Sequence, residues 1–104
     1  MTPVELLAEI KRRLTLVHGP RLRGVILYGS EARGDAEPDS DVDILVLLDD
    51  PVDFGEDLER NLDAVYPLSL EIGRQISALP ASATQYETFD CPLYRNIRRE
   101  GVAA

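Results

Sequence analysis

The chain has 104 residues, 44% hydrophobic and 29% charged, with a net charge of −8, a size that fits one domain, residues 1–104, built on a single core. That charge excludes a general grip on nucleic-acid phosphates, and no apolar run approaches the ~20 residues that span a bilayer. Met1-Thr2-Pro3-Val4-Glu5 lacks the pattern of a secretory leader and the lone Cys91 cannot close an internal disulfide, so the cytoplasm is the expected location.

Thr2-Pro3-Val4-Glu5 has the form of a capping box with proline at the first helical position. Val4, Leu7, Ile10, Leu14 and Val17 recur at helical spacing, which predicts an amphipathic helix over residues 3–17, stopped by His18-Gly19-Pro20 with His18 as a capping residue. Leu22–Tyr28 reads as an interior strand. Gly29-Ser30 breaks it, Glu31-Ala32-Arg33 forms one helical turn ending at Gly34, and 35–40 is a polar loop. Asp41–Leu48 is the clearest strand of the sequence. A second helix follows over roughly 53–65, closed by Pro67, and the alternation Leu-Ser-Leu-Glu-Ile predicts a third strand at Leu68–Ile72. Pro80 opens a helix to about Thr88, and Pro92 to Gly101 brackets a last short one. The order α-β-β-α-β-α makes an α/β (α+β) domain with a small mixed sheet flanked by helices.

The acids are unevenly placed: residues 31–57 hold eleven Asp or Glu and a single basic residue, Arg33. Part of that density is a solvated face, and the spacing points to more. Asp41 and Asp43 sit two apart on a strand, so their carboxylates share a face about 6.5–7 Å apart. They repel unless a cation lies between them. Mg²⁺ favours carboxylates combined with substrate phosphates, and carboxylates on one face can bridge two ions ~3.5–4 Å apart for in-line phosphoryl transfer.

Gly29 at a strand end lets a ligand approach the backbone closely, and Ser30 opens a helical turn whose amides and hydroxyl suit a phosphate. A Gly-Ser alone is only a turn, and an Asp-x-Asp alone is only a strand end. Together they supply a phosphate cradle and a metal site, which a nucleoside triphosphate with Mg²⁺ requires. Arg33 has two uses, reaching a phosphate or pairing with Asp35 or Glu37.

Gly29-Ser30, ten residues, then Asp41-Val42-Asp43 resembles the signature of the polymerase-β-like nucleotidyltransferases. The fuller Gly29-Ser30-Glu31-Ala32-Arg33-Gly34 with Ser40-Asp41-Val42-Asp43, and the ending Tyr94-Arg95-Asn96-Ile97-Arg98-Arg99-Glu100-Gly101, look like the minimal nucleotidyltransferase branch. The resemblance implies a nucleotidyltransferase fold with Gly29 and Ser30 on the triphosphate and Asp41 and Asp43 on Mg²⁺, two ions being expected. It also implies a third acid on a neighbouring strand, for which Glu71 is the matching position, as metal ligand and catalytic base. Glu31 departs from the pattern, since an acid beside a phosphate site opposes nucleotide binding unless it points away.

For function the resemblance implies transfer of AMP from ATP to a hydroxyl. In this branch the acceptor is a tyrosine of a helical RNase toxin of the HEPN type, and the short transferase is its antitoxin. A chain this short is expected to have no acceptor-binding domain of its own, so the partner supplies that half of the site. Two other readings stand beside it: an antibiotic adenylyltransferase, and a non-catalytic antitoxin that only binds its partner.

Overall fold

A computed structural model describes residues 1–104. Helix α1, Pro3–His18, begins at the expected capping box: the Glu5 amide donates to Thr2 Oγ1 at 3.1 Å, and the Thr2 amide donates to the Glu5 carboxylate at 2.9 Å. A 3₁₀ turn, Gly19–Arg21, leads into β1, Leu22–Tyr28. Then come α2 (Gly29–Arg33), β2 (Val42–Leu48), α3 (Phe54–Ile72), β3 (Ile76–Ser82), α4 (Ala83–Thr88), α5 (Pro92–Glu100) and a short β4 (Val102–Ala103).

The four strands form one mixed sheet in the order β3-β2-β1-β4. Strands β1 and β2 are antiparallel, whereas β2 and β3 are parallel and need the α3 crossover between them. Alternation along β2 divides its side chains between two layers. Val42, Ile44 and Val46 enter the main core under α1 and α3 with Ile10, Leu14 and Leu68. Leu45 faces the other way, into a smaller cluster with Ala81 and Ile97 of α5. Asp43 therefore lies on the α4/α5 side of the sheet.

The second half of the chain departs from the expected elements. No strand forms at Leu68–Ile72; these residues are the last turns of α3, which runs through Pro67. The alternating leucines mislead, because the buried positions Asn61, Val65 and Leu68, with Ile72 packed against the core, follow helical spacing while Leu70 is 65% exposed. Pro67 lies on the exposed side, so the carbonyl that loses its donor there can be hydrated.

The third strand is β3, across the proline expected to open a helix. The Val42 amide donates to the Gln75 carbonyl at 2.9 Å. With this register, Ser77, Leu79 and Ala81 bond to β2, and Ile76, Ala78 and Pro80 turn their backbone groups to the free edge. Proline is tolerated there because its missing N–H interrupts no ladder. The helix opens instead after Ser82, whose hydroxyl accepts from the Gln85 amide at 3.2 Å. The outward Ala78 carbonyl accepts from Asn61 Nδ2 of α3 at 3.0 Å, and Asn61 Oδ1 accepts from His18 Nε2 at 2.6 Å. His18 is thus a buried link between α1 and α3.

Candidate metal and nucleotide site

Antiparallel pairing brings the end of β1 beside the start of β2, with Tyr28 opposite Asp43. Gly29 follows with φ +75°, and a Cβ there would overlap the Asp43 carboxylate. The glycine is therefore required twice, by its backbone angle and by the side chain lying over it. Asp43 is half-buried and Asp41 exposed. Burial, then the charge of Asp41, pushes the Asp43 carboxyl above the ordinary carboxylate range, with Arg33 opposing. Burial, then Asp43, likewise raises the Tyr28 phenol.

Neither the Asp41 nor the Asp43 side chain has an ion pair or hydrogen bond from the chain, whereas Glu31 pairs with Arg74 and Asp35 with Arg33. A desolvated carboxylate beside a second one, with no cation paired to either, is a donor set that suits a hard divalent cation. The two aspartates stand alone: no group of three or more His, Cys, Asp or Glu is placed to hold a metal.

At α2, the Gly29 amide donates to Glu100 Oε1 at 3.3 Å, and Arg33 Nη1 reaches the same carboxylate at 3.2 Å while its Nε meets Asp35 at 3.3 Å. The Arg33–Asp35 pair is present, with Glu100 as an added partner at the end of α5. Ser30 is half-buried next to Gly29. Glu31 does point away from this cradle. It pairs with Arg74 at 2.9 Å, both side chains being nearly buried at 12% and 15% exposure, and Arg74 Nε donates to the Ser40 carbonyl at 2.9 Å. Arg74 thereby ties the turn carrying Ser30 to the residue before Asp41.

Removing that arginine leaves a buried carboxylate uncompensated. Arg74→Met is expected to lose about 3 kcal/mol in urea unfolding. The double variant Glu31→Gln/Arg74→Met should recover about 1 kcal/mol or more of it through the coupling between contacting residues. Additive losses would show that the pair is not coupled.

Glu71 is placed elsewhere than expected. It lies in the last turns of α3, 61% exposed, with Arg13 of α1 at 3.5 Å. The strand that made it the matching third acid does not exist; the strand neighbouring β2 is β3, and the residue paired with Asp43 there is Ser77. The arginines of α5 are also engaged: Arg95 pairs with Asp90 at 3.0 Å, Arg98 lies 4.8 Å over the Tyr86 ring, and Arg99 meets Asn96 at 2.6 Å. Sequence reading missed Ser77, Arg74 and Glu100. Ser77 was hidden by Pro80, and Glu100 meets Gly29 across 71 residues, a contact with no local signal.

Gly29 packed against Asp43 on the antiparallel neighbour is the arrangement expected from the resemblance to nucleotidyltransferases. The chain belongs to the nucleotidyltransferase domain family, whose profile matches residues 5–100. It is 31% identical over 102 residues, 97% of its length and 96% of the relative's, to a Methanocaldococcus jannaschii protein carrying the name "Putative protein adenylyltransferase". A second protein of that organism and name is 42% identical over 48 residues, so that the match spans about half of each chain (46% and 48%). Among solved structures, one described as a "putative minimal nucleotidyltransferase" superposes with a TM-score of 0.57 at 27% identity, covering 98% of this chain and 95% of that one. A chain in a toxin–antitoxin crystal structure with AMP-PNP superposes with a TM-score of 0.63 at 19% identity, covering 90% and 68%, a likeness of fold.

Proposed function

We propose that this nucleotidyltransferase is an Mg²⁺-dependent protein adenylyltransferase that moves AMP from ATP to a tyrosine hydroxyl of a helical RNase toxin of the HEPN type, and so acts as its antitoxin. The observation that carries the reading is Asp43, half-buried, uncompensated and packed on Gly29. The full-length similarity to a protein named as an adenylyltransferase supports the choice of AMP and of a protein acceptor. The likeness of fold to a chain from a toxin–antitoxin complex supports the choice of partner.

In this reading Asp41 and Asp43 hold Mg²⁺, which when bound offsets the charge of the phosphates. Gly29 and Ser30 contact the β- and γ-phosphates through the α2 backbone and the Ser30 hydroxyl. Arg33, held between Asp35 and Glu100, and the Gly29 amide, bonded to Glu100, each meet a phosphate only by exchanging a present partner. The acceptor oxygen bonds to the α-phosphorus as the bond to the β-phosphate oxygen breaks. Pyrophosphate leaves with the bonding electrons, and the hydroxyl proton is lost to a base or to water. Positioning and charge neutralisation are the main contributions.

With Mg²⁺, ATP labelled in the α-phosphate and the cognate toxin, label is expected to become covalently attached to the toxin. Ser30→Ala should weaken the transfer. Glu71→Gln should leave it within about threefold of the unmodified protein, well short of the ~10²–10⁴ contributed by a positioned general base. Toxin neutralised at equal affinity with no label incorporated would leave sequestration as the activity.

A further inference from the structure

The row of residues across the sheet at Asp43 runs Tyr28, Asp43, Ser77. Residues in register on neighbouring strands point to the same face, with strands ~4.8 Å apart. Ser77 therefore flanks Asp43 on the side of β3, half-buried and bearing only a hydroxyl. The other flank is Tyr28, a phenol and not a carboxylate. The remaining acids of the stretch are committed elsewhere or lie outside this row: Glu31 to Arg74, Asp35 to Arg33, and Glu100 to Arg33 and the Gly29 amide.

Two divalent ions ~3.5–4 Å apart carry four positive charges and need bridging and terminal anionic ligands from several directions. Here the chain offers two carboxylates from one strand end and no anion from β3.

We propose that Ser77 restricts this site to a single protein-held divalent ion, bound by Asp41 and Asp43 together with nucleotide phosphate, because the one position on β3 that could complete a second ion's ligand set is uncharged. The proposal rests on the assignment of Asp41 and Asp43 as metal ligands and goes beyond it in fixing the number of ions.

The test counts Mn²⁺ bound to the intact protein, by electron paramagnetic resonance and calorimetry, in the presence of saturating α,β-methylene-ATP, which cannot be cleaved. The unmodified protein should hold one Mn²⁺ in all per protein–nucleotide complex, and more tightly than the nucleotide alone holds it. Ser77→Asp should retain two, while Ser77→Asn, of the same size without the charge, should stay at one. Two ions of similar affinity in the unmodified protein would overturn the proposal whatever the variants do. So would a folded Ser77→Asp protein that stays at one ion.

Thermal unfolding gives a second readout. Ser77→Asp should melt below the unmodified protein without metal, because a third carboxylate crowds Asp43, and should gain more from Mn²⁺; an equal gain counts against the proposal. Failure of the underlying assignment looks different: the ion would then be held no more tightly than by the nucleotide alone, and Asp43→Asn would change nothing.

Discussion

Asp43→Asn is expected to abolish transfer, with a fall of at least about 10²-fold, the scale on which loss of one preorganised electrostatic group is felt. Asparagine keeps the shape that fits over Gly29 and removes the charge that would hold the cation. Stability supplies an independent check of opposite sign. In the metal-free protein the Asp43 carboxylate is burdened by burial and by Asp41, so the Asn variant should be as stable as the unmodified protein or more so. Mg²⁺ should raise the melting temperature of the unmodified protein, by the equivalent of about 2.7 kcal/mol at a hundred times its dissociation constant. The Asn variant should show no such response. A variant that unfolds without metal would mean that Asp43 is a structural carboxylate.

A loss of stability as large as that at Arg74 is expected when the pairing of Asp57 is broken. This carboxylate is 1% exposed and meets Arg21 at 3.1 Å and Arg60 at 2.8 Å, and it also accepts from the Asp53 amide at 3.1 Å. The Arg21 hydrogen bond first, with help from Arg60, pulls its carboxyl from 3.8 to about 2 against the cost of burial. A lowered pKa stabilises the fold above the unfolded value, and the contribution is lost as pH falls from about 4 toward 2. Its size is about 2 kcal/mol.

Arg21→Met leaves the buried carboxylate with Arg60 alone and should cost about 3 kcal/mol at neutral pH, the lower end for breaking a buried pair because one partner remains. Urea unfolding at neutral pH and near pH 3 checks both claims. The variant should lose less on acidification than the unmodified protein. An equal acid-induced loss in both would show that Asp57 is not the titrating group.

How far the sequence carried these conclusions varied along the chain. The first half was legible because its signals are local: the capping box at Thr2, the glycine stop at Gly34, and the continuous apolar run of β2 each depend on residues a few positions apart. The Gly-Ser and Asp-x-Asp halves of the site were legible for the same reason, since an antiparallel pair joined by a short connection brings them together directly. Beyond Asp53 the signals conflicted. Pro67 and Pro80 are strong breakers by propensity, yet one sits on the hydrated side of a helix and the other on the free edge of a strand, where each does little harm. Tertiary burial decided both cases, and with them the positions of Glu71 and Ser77. The links from Glu31 to Arg74 and from Gly29 to Glu100 depend on packing alone.

The outer edge of β3 limits how another chain can attach. A strand laid against it would meet Pro80, which has no donor to offer, and an Ala78 carbonyl already taken by Asn61. Two consecutive outward positions are thus closed to pairing, which guards the sheet against growing into fibrils by edge-to-edge addition. The same closure removes strand addition along β3 as a way for a partner to dock. Under the proposed function, a partner bringing a hydroxyl to Asp43 is therefore not held by strand addition along β3, and a peptide cut to mimic only an extended stretch of that partner should not pair there.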